Sequence, residues 1–180
     1  DNGNEYYINF FAEQAQKFAF EHISEIVAYR NKQYSQIEEK IQSVDFPSEL
    51  SVREFIMRNP DKCFILCIGS CDSVSKVGSY IAVLLYKGRN RVLKKTNIST
   101  NSANKCILTG IIDAATAIKL PTDVIILSST PLGFHTPKSK NYRFCQEIYR
   151  ILTEKECSIA ETVCQGKGYE LNSFIKSLAG

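Results

Sequence analysis

The sequence predicts an α/β fold, a mixed sheet flanked by helices and preceded by an N-terminal helical extension. Two apolar runs, 62–71 and 78–88, are separated by a polar loop that Gly69 and Gly78 bound, which is typical of an antiparallel pair of strands. Farther along the chain, segments with helical periodicity alternate with short apolar runs. Three consecutive strands followed by alternating helix and strand indicate a mixed α/β sheet.

Residues 1–45 are predicted to be helical. Apolar side chains recur there at three- and four-residue steps, with polar residues between them. The pattern thins after Tyr29, so one long helix or two helices meeting near Arg30 both fit. The apolar face is dense enough to require a packing surface, either on the downstream domain or on a partner chain. Its main members are Phe10, Phe11, Phe18 and Ile26.

A boundary is expected near residue 60. Pro47 ends the helical pattern, and Ser48 or Ser51 is expected to cap a short helix that runs through Arg58. Ser51 stands three residues before Glu54, the spacing of a capping box. The turn signal 59–61 then divides the chain into an N-terminal helical extension, 1–60, and a second domain, 61–180.

Eight elements are expected in the second domain. They are strands at 62–71, 78–88 and 90–96, a helix that starts after 99–102 and ends before Pro121, a strand at 123–129, a helix at 142–154, a strand at 158–164 and a helix at 169–178. The predicted sheet therefore has five strands.

Composition narrows the setting but not the function. A net charge of +3 permits nucleic-acid contact without arguing for it. Seven cysteines, several inside apolar runs and none with zinc-type spacing, predict reduced thiols in a nuclear or cytoplasmic protein. No apolar run approaches eighteen residues and no signal-peptide pattern is present, so we expect no membrane span. The first residue, Asp1, indicates a piece of a longer chain.

Five strings, in order, resemble the ribonuclease H family. Cys67–Cys71 resembles the first-strand motif Thr-Asp-Gly-Ser-Cys, and Gly78–Leu84 resembles the Gly-rich entry to the second strand. Ser99–Ser102 resembles the Thr-Asn-Asn that opens the first helix, and Ile126–Ser129 resembles the end of the fourth strand. Tyr169–Ala179 resembles the last helix. The resemblance covers the chain from Lys62 to its end and implies a ribonuclease H-like mixed five-stranded sheet.

The family hydrolyses phosphodiesters with two metal ions held among four carboxylates, and none of the four is matched. Their positions fall on Ile68, on Lys105 or Cys106 depending on a one-residue shift, on Ser128 and on Ser173. Magnesium needs charged oxygen ligands, which these side chains do not supply. The departure therefore implies no catalytic residue, no metal and no cofactor.

Relocated carboxylates would give a different outcome. Asp72, Asp113 and Glu170 are the acids near the family positions. Helical geometry separates Asp113 from residue 105 by about 11 Å, too far to share a metal ion, and surface positions are expected for all three.

Two basic runs are the other candidate sites. The first comprises Lys87, Arg89, Arg91, Lys94 and Lys95, and the second comprises Lys138, Lys140 and Arg143. The first run would either prevent pairing of a sheet edge with another sheet or bind phosphates, and the first of these interpretations is favoured. The second falls near the place where the family binds its duplex.

The resulting hypothesis is a non-catalytic ribonuclease H-like domain that serves as a protein–protein interaction or scaffolding module in an RNA- or transposon-related complex. A protein partner is expected on the Phe10, Phe11, Phe18 and Ile26 face, and a homodimer stays open. The alternative is a nucleic-acid-binding module that uses residues 87–95 and 138–143. A divergent metal-dependent nuclease is the third and least favoured option.

Overall fold

Six strands form one mixed β-sheet and four helices cover it, in a computed structural model that describes residues 42–134, 136–164 and 167–180. The strands are β1 (Gln42–Val44), β2 (Lys62–Asp72), β3 (Val77–Tyr86), β4 (Arg89–Ser99), β5 (Asp123–Ser128) and β6 (Ser158–Cys164). The helices are α1 (Glu49–Met57), α2 (Ala103–Ala117), α3 (Tyr142–Glu154) and α4 (Tyr169–Ala179). The predicted α/β class is confirmed.

The strands lie in the order β1-β6-β5-β2-β3-β4. The predicted hairpin is present, because β2 and β3 pair antiparallel with Phe64 opposite Leu85, and β4 pairs antiparallel with β3. Strands β5, β6 and β1 continue the sheet in parallel with β2. The loop 129–141 therefore lies where β2 and β5 end, which we call the carboxyl end of the sheet. The β3–β4 turn lies at the opposite end.

The helical interpretation of residues 1–45 is wrong for Gln42–Val44. These residues form strand β1, which pairs with Thr162–Cys164 of β6, and the sheet has six strands rather than the predicted five. Strand β1 forms hydrogen bonds with the backbone groups along the outer edge of β6. Because its partner is distant in sequence, the local periodicity of residues 1–45 does not reveal this strand. The rest of the predicted helix, including Phe10, Phe11, Phe18 and Ile26, lies outside the described residues.

Helix α1 packs on the sheet. Val52 is fully buried, and the ring centroid of Phe55 lies 6.0 Å from the ring centroid of Phe64 on β2. Residues 42–57 thus fold against the strands that follow the proposed boundary, and the division at residue 60 stays a prediction from sequence.

Helix α1 begins with a reciprocal cap. The Ser48 hydroxyl accepts the backbone N–H of Ser51 at 3.2 Å, and the Ser51 hydroxyl accepts the backbone N–H of Ser48 at 3.2 Å. Of the two serines considered as caps, Ser48 takes the role, and Ser51 fills the position that Glu occupies in the usual capping box.

One face of the sheet is covered by α1 and α4. Phe64 and Leu66 of β2 and Leu127 of β5 belong to a buried cluster with Leu171 and Ile175 of α4. Because side chains alternate along a strand, the intervening residues of β2 and β5 point to the other face.

Helix α2 lies on that other face, close to β2 and β3. A Cβ at Gly110 would lie 2.5 Å from Cys67 Sγ and 2.7 Å from Tyr80 Cδ1, and a Cβ at Gly69 would lie 2.9 Å from Ile107 Cγ1. Glycine is therefore required at both positions for this packing distance. Helix α3 packs beside α2 on the same face.

Lys155, just after α3, closes the end of α2. Its Nζ donates to the main-chain oxygens of Ala115 at 3.0 Å, Thr116 at 2.6 Å and Ile118 at 2.6 Å. The last carbonyls of a helix have no partner within it, and a cation there also meets the negative end of the helix dipole. The ammonium group of Lys155 thus joins α3 to α2.

Two expectations about chemistry and membranes can be compared with the structure. All seven cysteines are free thiols. Among the described helices, none combines the length and the hydrophobicity that crossing a bilayer requires.

Candidate functional site

Ile68 stands at the first position that the family resemblance assigns to a carboxylate. It is half-buried near the carboxyl end of β2, pairs with Ile81 of β3 and packs against the cluster under α1 and α4. Its neighbours Cys67 and Gly69 point to the α2 face. The Ile68 position therefore contributes packing, and its hydrocarbon side chain offers no ligand to a cation.

Lys105 and Cys106 lie in the first turn of α2, on the opposite face of the sheet from Ile68. Ser102, the last residue of the polar stretch 99–102 that was expected to precede this helix, caps it by accepting the Lys105 backbone N–H at 3.4 Å. Cys106 is completely buried, its Sγ lies against Gly78, and burial raises the pKa of its thiol. Lys105 is half-buried and places a positive charge in this turn.

Ser128, at the end of β5, is buried, and its hydroxyl donates to the main-chain oxygen of Thr130 at 2.9 Å. Since Leu127 belongs to the cluster under α4, Ser128 points to the α2 and α3 face. The structure therefore does not bring Ser128 and Ile68 to the same face.

Ser129 is the residue level with Ile68. The register of β2 with β5 ends at the pair Leu66 and Leu127, and continuing it by two residues, past the end of β5, brings Ile68 level with Ser129. Ser129 also contacts Gly168, the residue that precedes α4, since a Cβ at Gly168 would lie 3.1 Å from Ser129 Cα. Beside Ile68 the chain therefore places Ser129, another neutral hydroxyl.

Ser173 is exposed on α4, whereas its neighbours Phe174 and Ile175 face the sheet. Asn172, beside it, has a buried Oδ1 atom without a hydrogen-bond partner. The polar atoms of this helix do not converge with Ser128 or Cys106, which lie across the sheet.

The three acids near the family positions, Asp72, Asp113 and Glu170, belong to different elements of the fold. The Asp72 carboxylate accepts the backbone N–H groups of Ser75 at 3.0 Å and Val74 at 2.8 Å, and these bonds lower its pKa. Asp113 accepts the hydroxyl of Tyr80 from β3, so it has a specific partner rather than the purely solvated position expected. Glu170 is half-buried in the first turn of α4. The three acids form no metal-holding group, and Asp72 and Asp113 each have hydrogen-bond partners within the fold.

The described residues contain no group of three or more His, Cys, Asp or Glu side chains placed to hold a metal ion. Three of the buried thiols, those of Cys63, Cys145 and Cys164, are also poorly suited to nucleophilic chemistry. Burial raises the pKa of Cys63 to about 11 and that of Cys145 and Cys164 to about 12, so the neutral thiol dominates at physiological pH.

Glu161 on β6 is a buried acid that the sequence-based reasoning did not single out. Only 2% of it is exposed, and Oε2 has no hydrogen-bond partner. It lies on the α3 face, where the Leu132 backbone N–H bonds to its carboxylate. The available signal was its alternation with Ile159 and Val163, which placed a carboxyl on an otherwise apolar face.

The two basic runs lie at different ends of the sheet. Lys87 and Arg89 are at the β3–β4 turn, whereas Lys138 and Lys140 are in the loop at the carboxyl end. The basic residues of both runs are exposed. A ligand that touched both runs would have to follow the length of the sheet.

The first run belongs to a longer stretch without acidic residues. Residues 73–112 contain seven Lys or Arg and no Asp or Glu, which leaves 15 basic against 19 acidic residues in the rest of the chain. Composition averaged over the whole chain conceals this segregation. The described ion pairs include none of the seven basic residues.

Comparisons with known proteins add no family: no family model and no curated protein matches this chain.

Proposed function

We propose that residues 61–180 form a ribonuclease H-like domain without hydrolytic activity, which serves as a protein-binding or scaffolding module in an RNA- or transposon-related complex. The order of elements from β2 to α4, three strands followed by alternating helix and strand, supports the resemblance. Free thiols are consistent with work in the nucleus or cytoplasm.

The observation that carries the proposal is the packing of Ile68. Where the family places its first metal-binding Asp, this chain has a hydrocarbon side chain that packs into the cluster under α4. Introducing a carboxylate there would bury charge as well as restore a ligand. The position is thus used for stability, and the hydroxyls of Ser128 and Ser129 supply no anionic oxygen.

The binding role is assigned to the Phe-rich face of the N-terminal segment. Changing Phe11, Phe18 and Ile26 to Ser is expected to abolish partner capture in affinity purification, or self-association in sedimentation velocity, without lowering the melting temperature. A matched variant with Glu13 and Gln16 changed to Ser should behave as the parent chain. If the first variant unfolds instead, the face is internal core and the proposed binding surface is wrong.

The second candidate is nucleic-acid binding, and the acid-free stretch 73–112 is the observation that favours it. Titrating the chain with RNA, DNA and hybrid at two salt concentrations, with Mg²⁺ present, tests both proposals. The primary proposal expects no strand cleavage and no salt-dependent binding at micromolar protein. Binding that weakens with salt would favour the second candidate. Magnesium-dependent cleavage that survives repurification would contradict both.

A further inference from the structure

We propose that the open side of β4 binds an acidic, extended segment of a partner protein, which joins the sheet as an additional strand. This inference rests on the proposed role as a protein-binding module and names the chemistry of the partner. Addition of a strand to an exposed sheet edge is an established mode of peptide recognition, in which main-chain hydrogen bonds supply affinity and side chains supply specificity.

Strand β4 offers the long open edge of the described sheet. Among the described strands it pairs only with β3, whereas the edge strand on the opposite side, β1, has three residues. The pairing with β3 is regular from Arg89, opposite Tyr86, to Lys95, opposite Tyr80. The register then shifts, and Asn97 has a φ of +56°. Residues 89–95 therefore present an uninterrupted ladder, in which alternate backbone N–H and C=O groups point away from β3.

Three cations line one face of this ladder. Val92 packs against the cluster under α1 and α4, so Arg89, Arg91 and Lys95, with Leu93 between the last two, point to the α2 face. All three are exposed, and none belongs to an ion pair described for this chain. Lys94, on the Val92 face, already donates to the main-chain oxygen of Ala179 at 3.0 Å.

This charge pattern selects the occupant. A strand added beside β4 would place its own alternate side chains next to Arg89, Arg91 and Lys95. Opposite charges in neighbouring strands attract, and like charges repel. A second copy of β4 would bring cations against cations, and a neutral strand would leave the cations without a counter-charge. An extended segment with Glu or Asp beside Arg89, Arg91 and Lys95 pairs with the backbone groups of the ladder and neutralises the three cations.

The backbone groups of the ladder favour a peptide over a nucleic acid. The open edge presents N–H donors and C=O acceptors in alternation, and a peptide backbone supplies the complement of both. A phosphate backbone offers acceptor oxygens only, so the outward carbonyls of β4 would face further acceptors. The cations alone would attract either polymer.

The test uses the whole chain and a fluorescent peptide of alternating Val and Glu. We expect it to bind, a Val–Lys peptide not to bind, and the Val–Glu peptide N-methylated throughout to bind at least about tenfold more weakly, because it keeps the charges and loses the donors. The variant R91E/K95E should weaken binding about tenfold, and K138E/K140E should not. Hydrogen exchange on the parent chain should slow at the β4 amides when peptide is added.

Three results would overturn the inference: no binding of the Val–Glu peptide, equal binding of the N-methylated peptide, or displacement of the peptide by an oligo-dT strand that binds more tightly and also depends on Arg91 and Lys95. None of them bears on the Phe11, Phe18 and Ile26 variant. If that variant still loses its partner, the proposed function stands and only the β4 site falls. If both measurements fail, the binding role itself is wrong.

Discussion

Glu161 holds a carboxyl group that folding removes from water without a complete set of hydrogen bonds. Burial raises its pKa from 4.5 to about 7, and the bond from the Leu132 backbone N–H only partly opposes the shift. The Leu132 carbonyl in turn accepts from Cys145 Sγ at 3.2 Å, so the loop after β5 is held between β6 and α3. The folded protein therefore keeps a proton that the unfolded chain releases between pH 4.5 and 7.

The free energy of unfolding should consequently fall as the pH rises from about 4.5 to about 7 and then level off. Glu161→Gln, which removes the ionisation, is expected to stabilise the protein by up to about 3 kcal/mol at pH 8 and to have little effect at pH 4. Urea denaturation at the two pH values measures the difference. The exposed Asp61→Asn is the matched control, and an unchanged pH dependence in Glu161→Gln would show that another group is responsible.

At the scale of the residue, the sequence alone gives the identity of each side chain. The absence of acids at Ile68, Ser128 and Ser173 needs no coordinates. The face on which a residue lies does need them: Ser128 and Ser129 differ by one position, and the pleat sends Ser128 to the α3 face. A sequence string alone does not specify strand register.

At the scale of elements, the contact of α2 with β2 depends on the lack of a side chain at Gly110. Gly110 sits against Cys67 and Tyr80 of the sheet, and the Tyr80 hydroxyl is held by Asp113 on the same helix. Glycine usually weakens a helix interior by about 1 kcal/mol relative to alanine. Here the close approach of helix and sheet outweighs that preference.

Gly110→Ala is therefore expected to lower the free energy of unfolding by about 1–3 kcal/mol, because the new methyl group would displace Cys67 or the Tyr80 ring. The exposed Ser173→Ala on α4 should change it by less than about 0.5 kcal/mol. Chemical denaturation of both variants measures the effect. A neutral or stabilised Gly110→Ala would mean that α2 can move away from the sheet without loss.

The element order from β2 to α4 could be predicted because local signals agree: apolar runs, glycine-bounded turns and the Ser102 cap all report on their own neighbourhood. Strand β1 could not be predicted, since three residues, Gln42–Val44, become a strand through pairing with β6, more than a hundred positions away. Edge strands such as β1 form through contacts between residues distant in sequence, and the periodicity of a local segment does not reveal such contacts.

At the scale of the whole molecule, the net charge of +3 does not represent the charge of the surface that a partner would contact. Within the described residues, the seven basic residues of 73–112 lie on the β3–β4 side of the sheet and in the first turn of α2, and the rest hold 11 basic against 12 acidic residues. Charge concentrated in this way orients an approaching partner before contact, and at 0.1 M salt the attraction is screened beyond a distance of about 10 Å. Both candidate partners, acidic peptide and nucleic acid, would be drawn to the same side, so affinity at one salt concentration does not distinguish them.

The ammonium group of Lys155 has a consequence for protein engineering. Its three protons are directed to three carbonyls at the end of α2, so the tetrahedral geometry of an amine matches the site. A guanidinium group spreads its protons in one plane and cannot reproduce that tripod, which makes arginine a poor substitute despite its equal charge. Acetylation there would remove the charge and leave one N–H donor for three carbonyls, and the final turn of α2 would then unravel before the rest of the helix.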